Sequence, residues 1–274
     1  MVGIGFVKGH GTQNDFVVLP DAGNALDLTA ARVRALCDRQ RGLGADGVLR
    51  VVRASAAGLE GTTADWFMDY RNADGSVAEM CGNGVRVFAR YLVEAGLVDS
   101  REFPVATRAG DRQVRVHDDM SVTVHMGTVR VTGSSSAKIG GVEVRGLAVD
   151  VGNPHLVCLV DADVDTFDLR DQPWYDEADF PDGVNVELVN RADGALRMRV
   201  HERGVGETRA CGTGTVAVTA ADLHLLGESE GSRAVHMPGG RVEVRVAGGE
   251  ATMTGPAEFV ASGEIADAWW AAQR

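Results

Sequence analysis

Two of the four cysteines in this 274-residue chain stand in nearly the same surroundings. Cys81 lies in RNADGSVAEMCGNGVRVFARYLVEAG, and Cys211 lies in HERGVGETRACGTGTVAVTAADLHLLG. Each opens a C-G-[NT]-G turn that leads into a helical stretch, closed by Gly96 or Gly227. A helix N-terminus presents unpaired N–H groups and the positive end of the helix dipole. A thiol placed there is expected to have a lowered pKa and to act as a base near neutral pH. Glycines at 82, 84, 212 and 214 would let a ligand carboxylate reach the same N–H groups. Taken singly, either cysteine reads as a small buried residue at a tight turn. The duplication favours chemistry, because two acid/base groups on opposite sides of one ligand can take a proton from one face of a carbon and return one to the other. Racemisation or epimerisation at an α-carbon needs that arrangement. Such a proton is very weakly acidic, so helix N-termini must hold the developing charge on the carboxylate. No conspicuous lysine for pyridoxal phosphate exists, since the chain has only Lys8 and Lys138.

The elements that must position these thiols are also written twice. The 130-residue offset between the cysteines also pairs Asn72 with Glu202 and Gly110 with Gly240. Alternating strands follow in both halves, through Val122, Val124 and Met126 and through Val242, Val244 and Val246. QNDFVVL near Asn14 resembles GNPHLVCL near Asn153. The chain is therefore expected to be α+β, with two pseudo-twofold-related domains at 1–128 and 129–261. A turn-rich linker is expected near Gly127–Ser136. Val85, Phe88, Ala89 and Leu92 make a one-faced helix, whereas the helix through Val216, Val218, Ala221, Leu223 and Leu225 is apolar nearly all round and reads as enclosed by strands. Thr29 is the expected N-cap of an earlier helix through Val33, Leu36 and Cys37.

Other features read as structural. Gly42–Gly47 spells G-x-G-x-x-G, but a helix precedes it and a strand follows, the reverse of a dinucleotide site. Cys37 and Cys158 lie in apolar patterns, and the cysteines lack zinc-ligand spacing, so no metal is expected. A net charge of −12 argues against a nucleic-acid partner. No apolar run has membrane-span length, and MVGIGFVKGHG does not read as a signal peptide. Cytoplasm is the default expectation.

Together, the strings KGHGTQNDF, RNADGSVAEMCGNG, VGNPH, VNVE and HERGVGETRACGTGT resemble the diaminopimelate epimerase family, in order along nearly the whole chain. The resemblance implies a cofactor-independent enzyme of lysine and peptidoglycan biosynthesis that interconverts LL- and meso-diaminopimelate. It implies that Cys81 is the proton donor and Cys211 the acceptor in the LL-to-meso direction, with His155 and Glu202 tuning the thiols. It assigns substrate binding to Asn14, Asn72, Asn153, Asn185, Glu202 and Arg203, and a backbone cradle to Gly82, Asn83, Gly212 and Thr213. It further implies a homodimer, an antiparallel barrel around a central helix in each half, and residues 262–274 packing back on the first domain. Some members carry a substrate-contacting Gln where Gly47 stands here. Read alone, Asn72 and Asn153-Pro154 are turn residues and Glu202 is a solvated charge; only the set supports the functional reading. Two alternatives remain open: a racemase of a cyclic imino acid such as proline or hydroxyproline, and a non-catalytic small-molecule or thiol-sensing protein.

Overall fold

The computed structural model describes residues 3–273 and divides the chain into two compact units. One runs to Val124 and includes the segment from Pro256 onward; the other is His125–Gly255. The first unit begins with a hairpin of Ile4–Gly11 and Asn14–Pro20. Its two-residue connection, Thr12–Gln13, has φ of 51° and 63°, so both residues are left-handed without being glycine. Thr29 caps α1 (Ala30–Cys37) by accepting from the Arg32 N–H. Gly47–Arg53 then pairs in parallel with Asn14–Pro20 and antiparallel with Trp66–Asn72. Residues 42–46 form a helix-to-strand turn, as the order of elements required. The central helix α2 is Gly82–Glu94. Glu102–Val105, Arg112–Val116 and Val122–Thr128 follow as antiparallel strands, the last carrying the chain into the second unit. Glu258–Ile265 returns to pair with Ile4–Gly11. A C-terminal helix, Asp267–Ala272, adds Trp270 to the core of Val17, Leu19, Val33 and Leu36.

The second unit repeats the plan. Pro154–Leu159 pairs in parallel with Asn185–Ala192, as Asn14–Pro20 does with Gly47–Arg53. Ala195–Glu202 lies antiparallel beside Asn185–Ala192, and Gly231–Met237, Gly240–Ala247 and Glu250–Gly255 continue the sheet. The helix α3 (Gly212–Leu225) is buried continuously from Gly214 to Leu223, as an all-apolar helix among strands must be. The architecture is α+β, largely antiparallel, with a parallel join at the matching place in each unit.

Two expectations are corrected. The segment taken for a linker is strand Arg130–Ile139, which forms a hairpin with Val142–Asp150 around a register shift between Val131 and Gly133. Its largely exposed surface removes the need for apolar periodicity, so serines and glycine hid the strand. α2 is not buried on one face only, since every residue from Gly82 to Ala89 is buried. Among the described residues, no helix is long and apolar enough to cross a membrane.

Candidate active site

The thiol of Cys81 occupies the N-cap of α2, with extended backbone (φ −143°, ψ 118°). Val85 N–H donates to the Cys81 carbonyl at 2.8 Å and starts the helix. The Cys81 thiol donates to Asn14 Oδ1 at 3.5 Å, and Asn83 Nδ2 reaches the same oxygen at 3.3 Å. The Asn14 amide is oriented from behind, because its Nδ2 donates to Asp46 Oδ2 at 2.8 Å. Asp46 is itself paired with Arg39 at 2.8 Å. The strained Thr12–Gln13 turn thus delivers Asn14 to the thiol.

Beneath this turn lies Arg86, a fully buried guanidinium. Its Nη2 donates to Asn83 Oδ1 at 2.8 Å and Thr12 Oγ1 at 3.0 Å, while Nε and Nη1 have no hydrogen-bond partner among the described residues. Burial pulls Arg86 down to about 10, and the Cys81 sulfur is the group pulling it back up. A buried cation favours the anionic form of a neighbouring group, and the Cys81 sulfur is the group that acts on it here. Asn72 folds onto its own turn, its Nδ2 donating to Ser76 Oγ at 3.0 Å. Its strand neighbour Gly47 has no room for a side chain: a Cβ would lie 2.6 Å from the Arg71 carbonyl and 2.7 Å from the Tyr70 ring.

In the second unit Cys211 is the N-cap of α3, and its sulfur accepts from the Gly214 N–H at 3.4 Å and meets Thr213 Oγ1 at 3.5 Å. Only 6% of this residue is exposed. The expected lowering of its pKa is reversed. Burial pushes the thiol well up, and Glu202 and Glu187 push the same way, outweighing the Thr213 hydroxyl and the Gly214 amide. Burial also raises Glu202, against hydrogen bonds from the Thr208 hydroxyl and the Cys211 thiol. The first-turn amide acts in the direction expected of a helix start, but desolvating a thiolate costs more than it returns.

His155 is wholly buried between Glu187 and Asn153, its Nδ1 hydrogen-bonded to Glu187 Oε1 at 2.6 Å and its Nε2 lying 3.2 Å from Asn153 Oδ1. Asn185 spends both ends of its amide on backbone, donating to the Pro154 carbonyl at 3.0 Å and accepting from the Arg203 N–H at 3.0 Å. Arg203 is exposed, with Nη1 on the Asp182 carbonyl at 2.9 Å. Around Cys81, therefore, the first unit gathers Asn14, Gly82 and Asn83, with Asn72 in its own turn. Around Cys211, the second gathers Glu202, Gly212 and Thr213, with Asn153, His155, Asn185 and Arg203 joined through hydrogen bonds.

Sequence reasoning missed Arg86, Asp46 and Glu187. A signal existed for two of them: Arg86 interrupts the apolar run VRVFA, and Glu187 interrupts VNVELV. A charge inside a run of core residues is either paired or functional. The inert cysteines behave as expected, with burial pushing Cys37 and Cys158 each up to about 12.

The duplicated α+β fold is shared with several solved structures. It is similar to a PhzF-family phenazine biosynthesis protein of Bacillus anthracis, with a TM-score of 0.73 at 16% identity over 97% of this chain and all of that one. It is also similar to a hydroxyproline epimerase from Agrobacterium vitis, with a TM-score of 0.65 at 18% identity over 96% and 90% of the two chains. At these identities the likeness is one of fold alone. The chain belongs to the diaminopimelate epimerase family, an isomerase family whose profile matches residues 6–132 and 147–260. It is 56% identical to the diaminopimelate epimerase of Rhodococcus opacus over 97% of this chain and 98% of that protein. Its identity to that of Mycolicibacterium smegmatis is 53% at the same coverages.

Proposed function

We propose that the chain interconverts LL- and meso-diaminopimelate without a cofactor, using Cys81 and Cys211 as the two proton-transfer groups. One thiolate removes the α-proton, and the C–H electron pair passes into a carbanion delocalised over the adjacent carboxylate. The other thiol delivers its proton to the opposite face, so thiol and thiolate have exchanged roles at the end of a turnover. The observation that carries this reading is the N-cap position of both thiols. Each stands where first-turn N–H groups can hold the carboxylate on which charge develops. Glu202 and His155 tune the protonation of the site. Asn14, Asn72, Asn153, Asn185 and Arg203 hold the substrate, which is a zwitterion with a second amino-acid end, and Gly82, Asn83, Gly212 and Thr213 line the two helix starts. Family membership supports a homodimer and a cytoplasmic site of action.

The test is incubation with LL-diaminopimelate in D2O without added cofactor. Deuterium at one α-carbon, present in the first product formed and absent from substrate recovered early, supports two opposed thiols. Early product that retains its original hydrogen overturns them. Proline or hydroxyproline exchanging in place of diaminopimelate would select the cyclic imino-acid alternative.

A further inference from the structure

Glu187 has no part in the reaction as written above, yet its place in the fold is hard to explain by packing. It sits on Asn185–Ala192 with none of its surface exposed. Oε1 makes the short bond with His155 Nδ1, and Oε2 has no hydrogen-bond partner among the described residues. A buried carboxylate left half unsatisfied is unfavourable in general. The internal repeat supplies a control. A Cβ on Gly84, in the first turn of α2, would meet Leu49 Cδ2 at 3.2 Å. A Cβ on Gly214, in the first turn of α3, would meet Glu187 Oε1 at 2.9 Å and the Cys211 sulfur at 3.3 Å. Leu49 and Glu187 thus fill the same seat under equivalent turns, on strands joined in parallel to equivalent neighbours. Leucine satisfies the packing in one copy, so the carboxylate in the other is there for its charge and its hydrogen bond.

We infer that Glu187 is a positioning residue of the Cys211 site, orienting His155 through Nδ1 and setting a negative charge against the first turn of α3 that keeps Cys211 in its thiol form in the free enzyme. The titratable groups facing the Cys211 sulfur are Glu202, from the end of Ala195–Glu202, and Glu187. His155 acts on both carboxylates, and Cys158, on the His155 strand, also feels Glu187. Burial and both carboxylates act in one direction on Cys211. The contact with Glu187 holds the imidazole at Nδ1, and the contact with Asn153 Oδ1 at 3.2 Å holds it at Nε2.

The inference rests on reading Cys211 as a proton-transfer group, but its main test needs no turnover. Full-length Cys81→Ala protein is alkylated with iodoacetamide across pH, and modification of Cys211 is followed by peptide mass spectrometry. Glu187→Gln should keep an acceptor for His155 while lowering the alkylation midpoint by about one pH unit, because the opposing charge is gone. Glu187→Asp keeps the charge but withdraws it from His155, so the midpoint should stay near that of the parent. In the Cys81-intact protein, Glu187→Asp should lower kcat about tenfold, with KM changing little. A midpoint unmoved in folded Glu187→Gln overturns the inference, as does an equal shift in both variants. Should Glu187→Gln fail to fold, Glu187→Asp decides: a lowered kcat with the midpoint held supports the role, and an unchanged kcat overturns it. A midpoint shift in a chain that exchanges no deuterium into diaminopimelate would overturn the proposed function and leave the electrostatic role of Glu187 standing.

Discussion

At the start of α2 the buried ionic group is a cation, Arg86; at the start of α3 there are two carboxylates, Glu187 and Glu202. The backbone is the same in both places, an extended cysteine capping a helix whose first turn carries glycine. The 130-residue offset puts Val216 where Arg86 would recur, and the common seat beneath the first turn holds Leu49 in one unit and Glu187 in the other. Duplication kept the scaffold and changed the charges. In the proposed two-thiol reaction one thiol lacks its proton while the other holds one, and that difference biases which of the two arrangements the free enzyme prefers. A cation beside Cys81 favours thiolate, and carboxylates beside Cys211 favour thiol, the reverse of the donor and acceptor roles that the family resemblance implies for the LL-to-meso direction.

The largest expected effect ignores the asymmetry. Replacing Cys81 or Cys211 with Ala should lower kcat about a thousandfold, the usual scale of a lost general acid or base, with the fold retained by circular dichroism. A loss below about tenfold for either variant would end the two-thiol reading. Arg86→Met goes to the asymmetry itself. With Cys211→Ala as background, it should raise the Cys81 alkylation midpoint by about one pH unit, because the cation that favours thiolate is removed. An unmoved midpoint would mean that Arg86 serves the fold alone.

Glu202→Gln should act on the other thiol with the opposite sign. Burial raises this carboxyl, and its ionised form then opposes the Cys211 thiolate. Removing the charge should move the Cys211 midpoint to lower pH and shift the kcat profile with it, costing about tenfold at the parent optimum. An unchanged profile would return Glu202 to a plain structural role. Paired glycine variants sharpen the comparison further. A methyl at Gly84 presses on a leucine tip, whereas one at Gly214 presses on a carboxylate held by His155. Gly214→Ala should therefore lower kcat several-fold more than Gly84→Ala, and equal losses would erase the distinction between the two seats.

The smallest effect concerns stability in the first unit. Burial would raise Asp15, but hydrogen bonds from Arg39 and Lys8 prevail and hold it at about 2, below its ordinary 3.8. A carboxylate lowered on folding adds stability that is fully present above the unfolded value and is lost as pH falls through the folded one. Asp15→Asn should therefore lower the Tm at neutral pH by a few degrees and flatten its fall between pH 4 and 2. Pro154 stands at the matching place in the second unit and offers no such group.

The sequence by itself determined the duplication, the two helix starts, the capping of α1 by Thr29 and the inertness of Cys37 and Cys158. These follow from short-range rules, namely turn residues, helical spacing and N-cap chemistry, which a linear string carries. It also held the motifs that mark the family. Strand Arg130–Ile139 escaped because an exposed strand has no apolar period to show. The electrostatics of the thiols were decided only by the tertiary structure. Helix position predicted a lowered pKa for both, yet Cys211 is desolvated and faces carboxylates from two strands, 9 and 24 positions before it. Arg86 and Glu187 are charges inside apolar runs, and only folding sets one near Cys81 and the other against the first turn of α3. Charge–charge and burial effects depend on distance in space and on what water is excluded, and neither is written in the order of residues.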